Sequence, residues 1–268
     1  MLIDTHCHLD AAEFDADRAA VLQAARAGGV AGFLVPAVGA SNFEAVAALS
    51  AAHPDVVHAF GIHPMYVGQA QEGDLDLLRE RLAGGSAVAV GEIGLDGFVQ
   101  DGSMPLQLHY FEAQLRLAKA FELPVVLHVR RAQDEILKLL RRIRPPGGIA
   151  HAFNGSLQQA EAFIKLGFRL GFGGAMTYAG SRRIRQLAAG LPLSAIVLET
   201  DAPDIPPAWG GGQRNDPSNL PRFAEVLAQL RGMPVADVVE ATGANALAAI
   251  PGLRKLAGLR PASPPESR

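Results

Sequence analysis

A single cysteine, Cys7, stands among 268 residues, so no disulfide can form within the chain and the fold must rest on its own core. A chain of this length can supply one. Positive charge is also not in excess: 24 Lys and Arg against 27 Asp and Glu leave a formal net charge of -3. That excludes the overall basic footprint that holds long duplexes through counterion release. Long hydrophobic runs are missing too. Stretches such as AGFLVPAV and LPVVLHV fall far short of the roughly 20 residues a helix needs to cross a bilayer, and no basic stretch leads into an apolar one at the N-terminus. The expectation is an unprocessed cytoplasmic protein, monomeric and without a membrane partner. Its 49% hydrophobic and 19% charged residues suit a globular enzyme.

What is present is an alternation. Short apolar runs lie near residues 1–6, 32–38, 56–63, 87–94, 124–129, 148–153, 168–174 and 195–201. Between them lie stretches with helical spacing, such as DADRAAVLQAARAGG, PLQLHYFEAQLRLAKAFEL, RAQDEILKLLRRI and LQQAEAFIKLG, closed by Gly or Pro signals. Eight strands alternating with helices over about 250 residues predict an α/β fold of the (β/α)8 TIM-barrel type. No Gly-rich phosphate fingerprint follows the first strand, as a doubly wound dinucleotide-binding sheet would show. No boundary splits the chain, so residues 1–253 read as one domain. The Pro- and Ser-rich segment 254–268 reads as a mobile tail.

Polar residues gather where barrel enzymes keep their chemistry. Side chains alternate along a strand, so in IDTHCHLD His6 and His8 share one face while Cys7 takes the other. His63 ends the third strand, Glu92 the fourth, His128 the fifth, His151 the sixth and Asp201 the eighth, so five of the eight histidines are strand-end residues. Barrel closure brings such ends around one axis. Imidazoles and carboxylates together are ligands of Zn, Mn or Fe, and carboxylate-rich mixtures also hold Mg. His6, His8, Glu92, His128, His151 and Asp201 exceed the four ligands a tetrahedral ion takes. Two ions bridged by Glu92 is the preferred arrangement; one ion on His6, His8, a third His and Asp201 is the alternative. Glu92 and Asp201 are the catalytic candidates, with Asp201 able to take a proton from the attacking water.

Arg130, two residues beyond His128, faces the same mouth if the strand continues, where it can hold a phosphoryl oxygen. His63 can do likewise. In the loop AWGGGQRNDP, three glycines lend freedom that would let Arg214 and Asn215 swing over the site. The remaining polar residues read as structural. His53 and His109 carry no pattern, and His58 has the parity of the helical layer. Arg131, Arg182, Arg183 and Arg185 read as solvated helix faces. Cys7 reads as packed, and the GGG at 210–212 is no P-loop because no Lys-Ser/Thr follows.

With these residues in view, the stretches IDTHCHLD, GIHP, VGEIGLD, LPVVLHVRRA, HAFNGS, LGFGG, LETDAP, RNDPSNLP and ATGANA resemble the TatD family of metal-dependent deoxyribonucleases, within the amidohydrolase-like barrels. The resemblance runs from residue 3 to about 246. It implies that His6, His8, Glu92, His128, His151 and Asp201 bind one or two divalent cations (Mg, Mn or Zn), with His63 and Arg130 as phosphate contacts. It also implies 3'-to-5' exonuclease activity on ends of single-stranded DNA or RNA. Three positions depart from the family pattern: Asn154 for Ser or Thr, Gly97 for an aromatic after GLD, and Ala248-Ala249 for Leu-Phe. None removes a ligand. Hydrolysis of a small amide, lactone or phosphoester at the same metal site is the alternative.

Overall fold

The computed structural model describes residues 1–99 and 103–256. All eight expected strands form: β1 Leu2–Asp4, β2 Val30–Pro36, β3 Val56–Ala59, β4 Val90–Asp96, β5 Val125–Arg130, β6 Gly148–Ala150, β7 Phe168–Phe172 and β8 Ile196–Leu198. Helices α1 Arg18–Ala27, α2 Phe43–Ala52, α3 Asp74–Ala83, α4 Met104–Ala120, α5 Gln133–Ile143, α6 Leu157–Lys165 and α7 Arg182–Gly190 link successive strands. Two more, α8 Leu220–Arg231 and α9 Val235–Ala249, follow β8.

Local chemistry accounts for these elements. In α5 the residues Ile136, Leu137, Leu139, Leu140 and Ile143 form one buried stripe. Asp134 and Glu135 in its first turn, with Arg141 and Arg142 in its last, complement the helix dipole. At the start of α6, Gln159 N donates to Ser156 Oγ at 3.2 Å while Ser156 N donates to Gln159 Oε1 at 2.9 Å. This capping box satisfies two otherwise orphaned donors and fixes the turn after β6.

The strands pair in parallel as β1-β2-β3 and β4-β5-β6-β7-β8. Single hydrogen bonds join the two ladders into a ring. Phe60 bridges Val90, Gly91 N donates to Phe60 O at 2.9 Å, and Val88 N donates to His58 O at 3.0 Å. At the other seam Thr5 N donates to Leu198 O at 3.2 Å and Asp201 N to His6 O at 2.8 Å. The result is a TIM barrel with its helices outside.

Two apolar layers hold it. The larger lies between strands and helices and contains Phe33, Leu115, Leu127, Leu140, Phe163, Leu198 and Phe223. The smaller fills the barrel: Ile3, Leu34, Val57, Val126, Ile149 and Val197 meet Ala246 and Ala249 from α9 and Ile250 just after it. Val126, Ile149 and Val197 have the parity of His128, His151 and Asp201, so the same inward faces are apolar at one end and polar at the other. Helix α9 plugs the apolar end. It approaches so closely that a Cβ on Gly243 would stand 2.1 Å from Met1 O.

Residues 254–256 belong to the domain and not to the expected tail. Pro251–Lys255 form a 3-10 turn, and Leu256, 1% exposed, packs its side chain against Gly32 at the base of β2. Burial of these side chains extends the domain past residue 253. The rest of the expected tail, 257–268, lies outside the described residues. Among the described residues no helix is long and apolar enough to cross a membrane.

Candidate metal centre and its cleft

The polar end of the barrel collects all six expected ligands, though not all at strand ends. Glu92 and His128 lie within β4 and β5, which continue to Asp96 and Arg130, so both side chains sit below the rim. His151 is one residue past β6. His6 and His8 follow β1 rather than belonging to it, yet their backbone stays threaded between neighbours: Cys7 N donates to Leu34 O at 3.2 Å and His8 N to Ala202 O at 2.7 Å. Cys7 points the other way and is fully buried, as expected. Asp201 adopts φ 57, a left-handed conformation that Asp tolerates better than most residues.

Glu92 is the hub. Its Oε2 lies 3.1 Å from His6 Nε2 and 3.4 Å from His8 Nε2. Its Oε1 lies 2.8 Å from His151 Nε2, 3.0 Å from His128 Nδ1 and 3.2 Å from His63 Nε2. Asp201 Oδ1 adds a second carboxylate, 3.4 Å from His6 Nε2 and 3.8 Å from His8 Nε2. Ring nitrogens also face one another: His6 Nε2 is 3.2 Å from His8 Nε2, and His151 Nε2 is 3.4 Å from His128 Nδ1. Three compact donor sets result: His6 with Glu92 and His151, His6 with His8 and Asp201, and His63 with Glu92 and His128. Donor atoms that converge this closely can hold a cation between them, and the nitrogen and oxygen mixture suits Zn, Mn or Fe.

Electrostatics favour the same reading. Burial, reinforced by His151, pushes His6 down to about 3. Burial also opposes charge on His8 and His151, but there Glu92 and Asp201 outweigh it and lift them to about 9 and about 10. Glu92 is driven well below the carboxylate range against its own burial, by His151, His63 and His6. Several imidazoles thus compete for one carboxylate, and they cannot all be protonated together. Neutral imidazoles around a bound dication remove that conflict.

Around this floor lies a cleft of about 910 Å³. His63, the N-cap of the 3-10 turn Pro64–Gln69, lines it, with Nδ1 accepting from Met65 N at 3.2 Å. Arg130 lines it as well, 3.6 Å from Asp96 Oδ2, so the continuation of β5 brings it to the mouth. Arg131 and Arg183 correct the sequence reading: both line the cleft, and Arg183 Nε donates to Asn154 Oδ1 at 3.3 Å. Arg185 instead donates to Met176 O.

Arg214 and Asn215 are not on the cleft. Arg214 pairs with Asp17, donates to Glu13 O and stacks on Phe14, which holds it against the segment before α1. Asn215 is fully buried, and its Nδ2 donates to the carbonyls of Thr200 at 2.7 Å, Asp204 at 3.0 Å and Ile205 at 3.2 Å. It braces the loop after Asp201 through the carbonyls of Asp204 and Ile205, which line the cleft, but its own side chain does not line it. His58 faces outward as expected, against Phe60 and 3.2 Å from Ser86 Oγ.

Two carboxylates escaped the sequence reading. Asp96 Oδ2 lies 3.0 Å from His128 Nε2, the nitrogen opposite the one facing Glu92, and so orients that ring. Glu199 is buried with His151 Nδ1 3.9 Å away, and burial raises it to about 8. Parity was the available signal. Asp96 shares the inward face of Glu92 in VGEIGLD, and Glu199 that of Asp201 in LETD.

Known proteins resemble this chain in sequence and fold. The family model for TatD related DNase matches residues 3–250. The uncharacterized metal-dependent hydrolase YjjV of Escherichia coli is 42% identical over 242 residues, covering 89% of this chain and 93% of its own. Its crystal structure superposes with a TM-score of 0.90, covering 93% of this chain and 98% of that one. A human protein named deoxyribonuclease TATDN3 is 32% identical over 273 residues, covering 95% of this chain and 96% of its own. A TatD family hydrolase from Entamoeba histolytica, 21% identical and covering 93% of this chain and 97% of its own, shares the fold with a TM-score of 0.82. A match spanning nearly every strand and loop around the Glu92 hub places this chain in the TatD related DNase family, as a metal-dependent hydrolase.

Proposed function

We propose that the protein removes nucleotides from the 3' end of single-stranded DNA or RNA by hydrolysing the terminal phosphodiester, at a centre of two divalent cations (Mg, Mn or Zn) bridged by Glu92. The observation that carries this reading is the Glu92 carboxylate, whose two oxygens face two separate histidine sets. Ions bound there supply Lewis-acid stabilisation of charge on the phosphoryl oxygens and lower the pKa of water.

The chain's own groups do the rest. His6, His8, His128, His151 and Asp201 would hold the ions with Glu92, and Asp96 fixes the His128 ring. Asp201 takes the proton of the attacking water at a carboxylate oxygen. His63 and Arg130 donate to the non-bridging phosphoryl oxygens as charge builds on them. The net charge of -3 and the confined cleft suit trimming of a short end, since binding along a strand would call for a long basic groove. The name of the human relative points to the same bond type.

Digestion by chelator-stripped protein tests the proposal. Mg, Mn or Zn is added back to a free and a 3'-blocked single strand, with Asp201→Asn as control. Shortening of the free strand alone, restored by metal and absent in the variant, is expected. No cleavage under any metal would overturn the nuclease reading and turn attention to small phosphoesters, lactones and amides.

A further inference from the structure

Eight large apolar side chains are exposed among the described residues. Six of them, Met65, Tyr66, Phe98, Leu106, Leu157 and Tyr178, lie on loops or first helical turns that follow strands. All six therefore stand on the face that carries the mouth. Exposed apolar surface concentrated on one face and rimmed by polar groups marks a binding surface. The cleft adds the matching charge, since Arg130, Arg131 and Arg183 line it beside Phe98.

Phe98 is where the two features meet. It is 46% exposed, and the guanidinium carbons of Arg130 and Arg131 lie 4.0 Å and 4.6 Å from its ring centroid. Its position is set by the backbone. Gly97 N donates to Arg130 O at 2.7 Å, and a Cβ at 97 would stand 2.5 Å from Arg131 O. No side chain fits there, so the aromatic after the strand stands at 98, not at 97. Asp96 then ties the ring to the centre: its Oδ1 accepts from Phe98 N at 2.8 Å, while its Oδ2 faces His128 Nε2 at 3.0 Å and Arg130 Nη1 at 3.6 Å. One carboxylate thus fixes an aromatic ring, a cation and a ligand of the centre in a single arrangement.

We propose that Phe98, with Arg130 and Arg131, is a nucleobase-stacking subsite. The ring takes the base next to the scissile phosphate, and the guanidiniums face the phosphates on either side of it. The proposal rests on the single-strand reading above and deepens it. Stacking on an aromatic ring requires a base free of its neighbours, and every base has a π-face to offer, so the subsite selects single strands without selecting sequence. Guanidinium planes stack on bases as readily as on rings, so the arginines over Phe98 extend the platform.

Two measurements on the full chain test it. The first compares hydrolysis of a short oligonucleotide with one lacking the base at the scissile position, in wild type, Phe98→Ala and Phe98→Trp. The wild type is expected to favour the complete substrate by roughly 10-fold or more, the scale of one stacked base. That ratio should fall towards one in Phe98→Ala and persist in Phe98→Trp. The second follows 2-aminopurine fluorescence in a trinucleotide bound to Asp201→Asn protein, with and without Phe98→Ala. Quenching that needs Phe98 is expected.

Hydrolysis with a base preference untouched by Phe98→Ala, or quenching untouched by it, overturns the subsite while the nuclease reading stands. Quenching that depends on Phe98 without hydrolysis of either oligonucleotide by wild type supports the subsite and overturns the nuclease reading. Neither hydrolysis nor quenching overturns both.

Discussion

Two buried polar clusters lie one above the other in this barrel, and they differ in whether they are complete. In the lower one Asp4 Oδ1 accepts from Thr200 N at 3.0 Å and His6 N at 3.3 Å, and Oδ2 accepts from Thr200 Oγ1 at 2.6 Å. Thr5 Oγ1 donates to Leu198 O at 3.0 Å. Gln114 is as well served, bonding both N and O of Ile62. In the upper cluster the Nδ1 atoms of His6, His8 and His151 and Oε2 of Glu199 have no partner. Burial of polar groups alone therefore does not mark a site, since structural ones satisfy each other. Convergence of several imidazoles on one buried carboxylate does.

The sharpest way to break this contrast is to change the hub. Glu92→Gln keeps the shape but removes the bridging charge and turns one acceptor oxygen into a donor. Turnover in metal-replete buffer is expected to fall by at least ~10³-fold, the several kcal/mol such ions supply. Activity within tenfold of wild type would show that Glu92 does not bridge.

The complete class responds in stability instead. Asn215→Ala strips one donor from three buried carbonyls and is expected to cost roughly 3 kcal/mol in urea unfolding. Arg214→Ala, which loses a surface ion pair, should cost under about 1 kcal/mol. If Asn215→Ala lowers activity without lowering stability, Asn215 serves the substrate after all.

Asp96→Asn sits between the two classes, because Asp96 orients a ligand without facing the hub. Metal affinity, read by competition with a chelating dye, should weaken by about 10- to 100-fold, the usual effect of losing such a partner. Unchanged affinity would confine Asp96 to holding the loop.

His58 is remote from the centre, and its effect shows only on acidification. Burial, with Lys255 nearby, lowers it from 6.5 to about 4. Between those values the unfolded chain binds a proton that the folded chain refuses. The stability it contributes is complete above pH 6.5 and lost as pH falls towards 4, on the order of 2 kcal/mol. Thermal melting from pH 7 to pH 4.5 should therefore fall less steeply in His58→Gln than in wild type. Equal slopes would place this titration elsewhere.

These contrasts also show what could be read from the chain. The eight strands and the gathering of the six candidate ligands were legible because alternation and inward parity follow from local geometry, as His128 two residues from Val126 illustrates. Arg214 and Asn215 were misread because they lie in a loop, where parity has no meaning and the partners are distant: Asp17 is 197 residues from Arg214. Arg131 and Arg183 were misread for a related reason. Residues just past a strand or within the first turn of a helix point by tertiary context, so a helix-face pattern did not apply. Asp96 was within reach of parity, but strand β4 extends further than its apolar run, and Glu92 was taken as its end. Leu256 looked like tail because its packing partner, Gly32, is more than 200 residues away along the chain.

Counting bound ions tests the central claim most directly. Chelator-stripped wild-type and Glu92→Gln proteins are titrated with Zn or Mn by calorimetry, and the loaded proteins are dialysed and analysed for metal. Two ions per wild-type chain, and fewer than two in Glu92→Gln, are expected. A wild-type chain that binds none, or a stoichiometry untouched by Glu92→Gln, would contradict a bridged metal centre at the mouth.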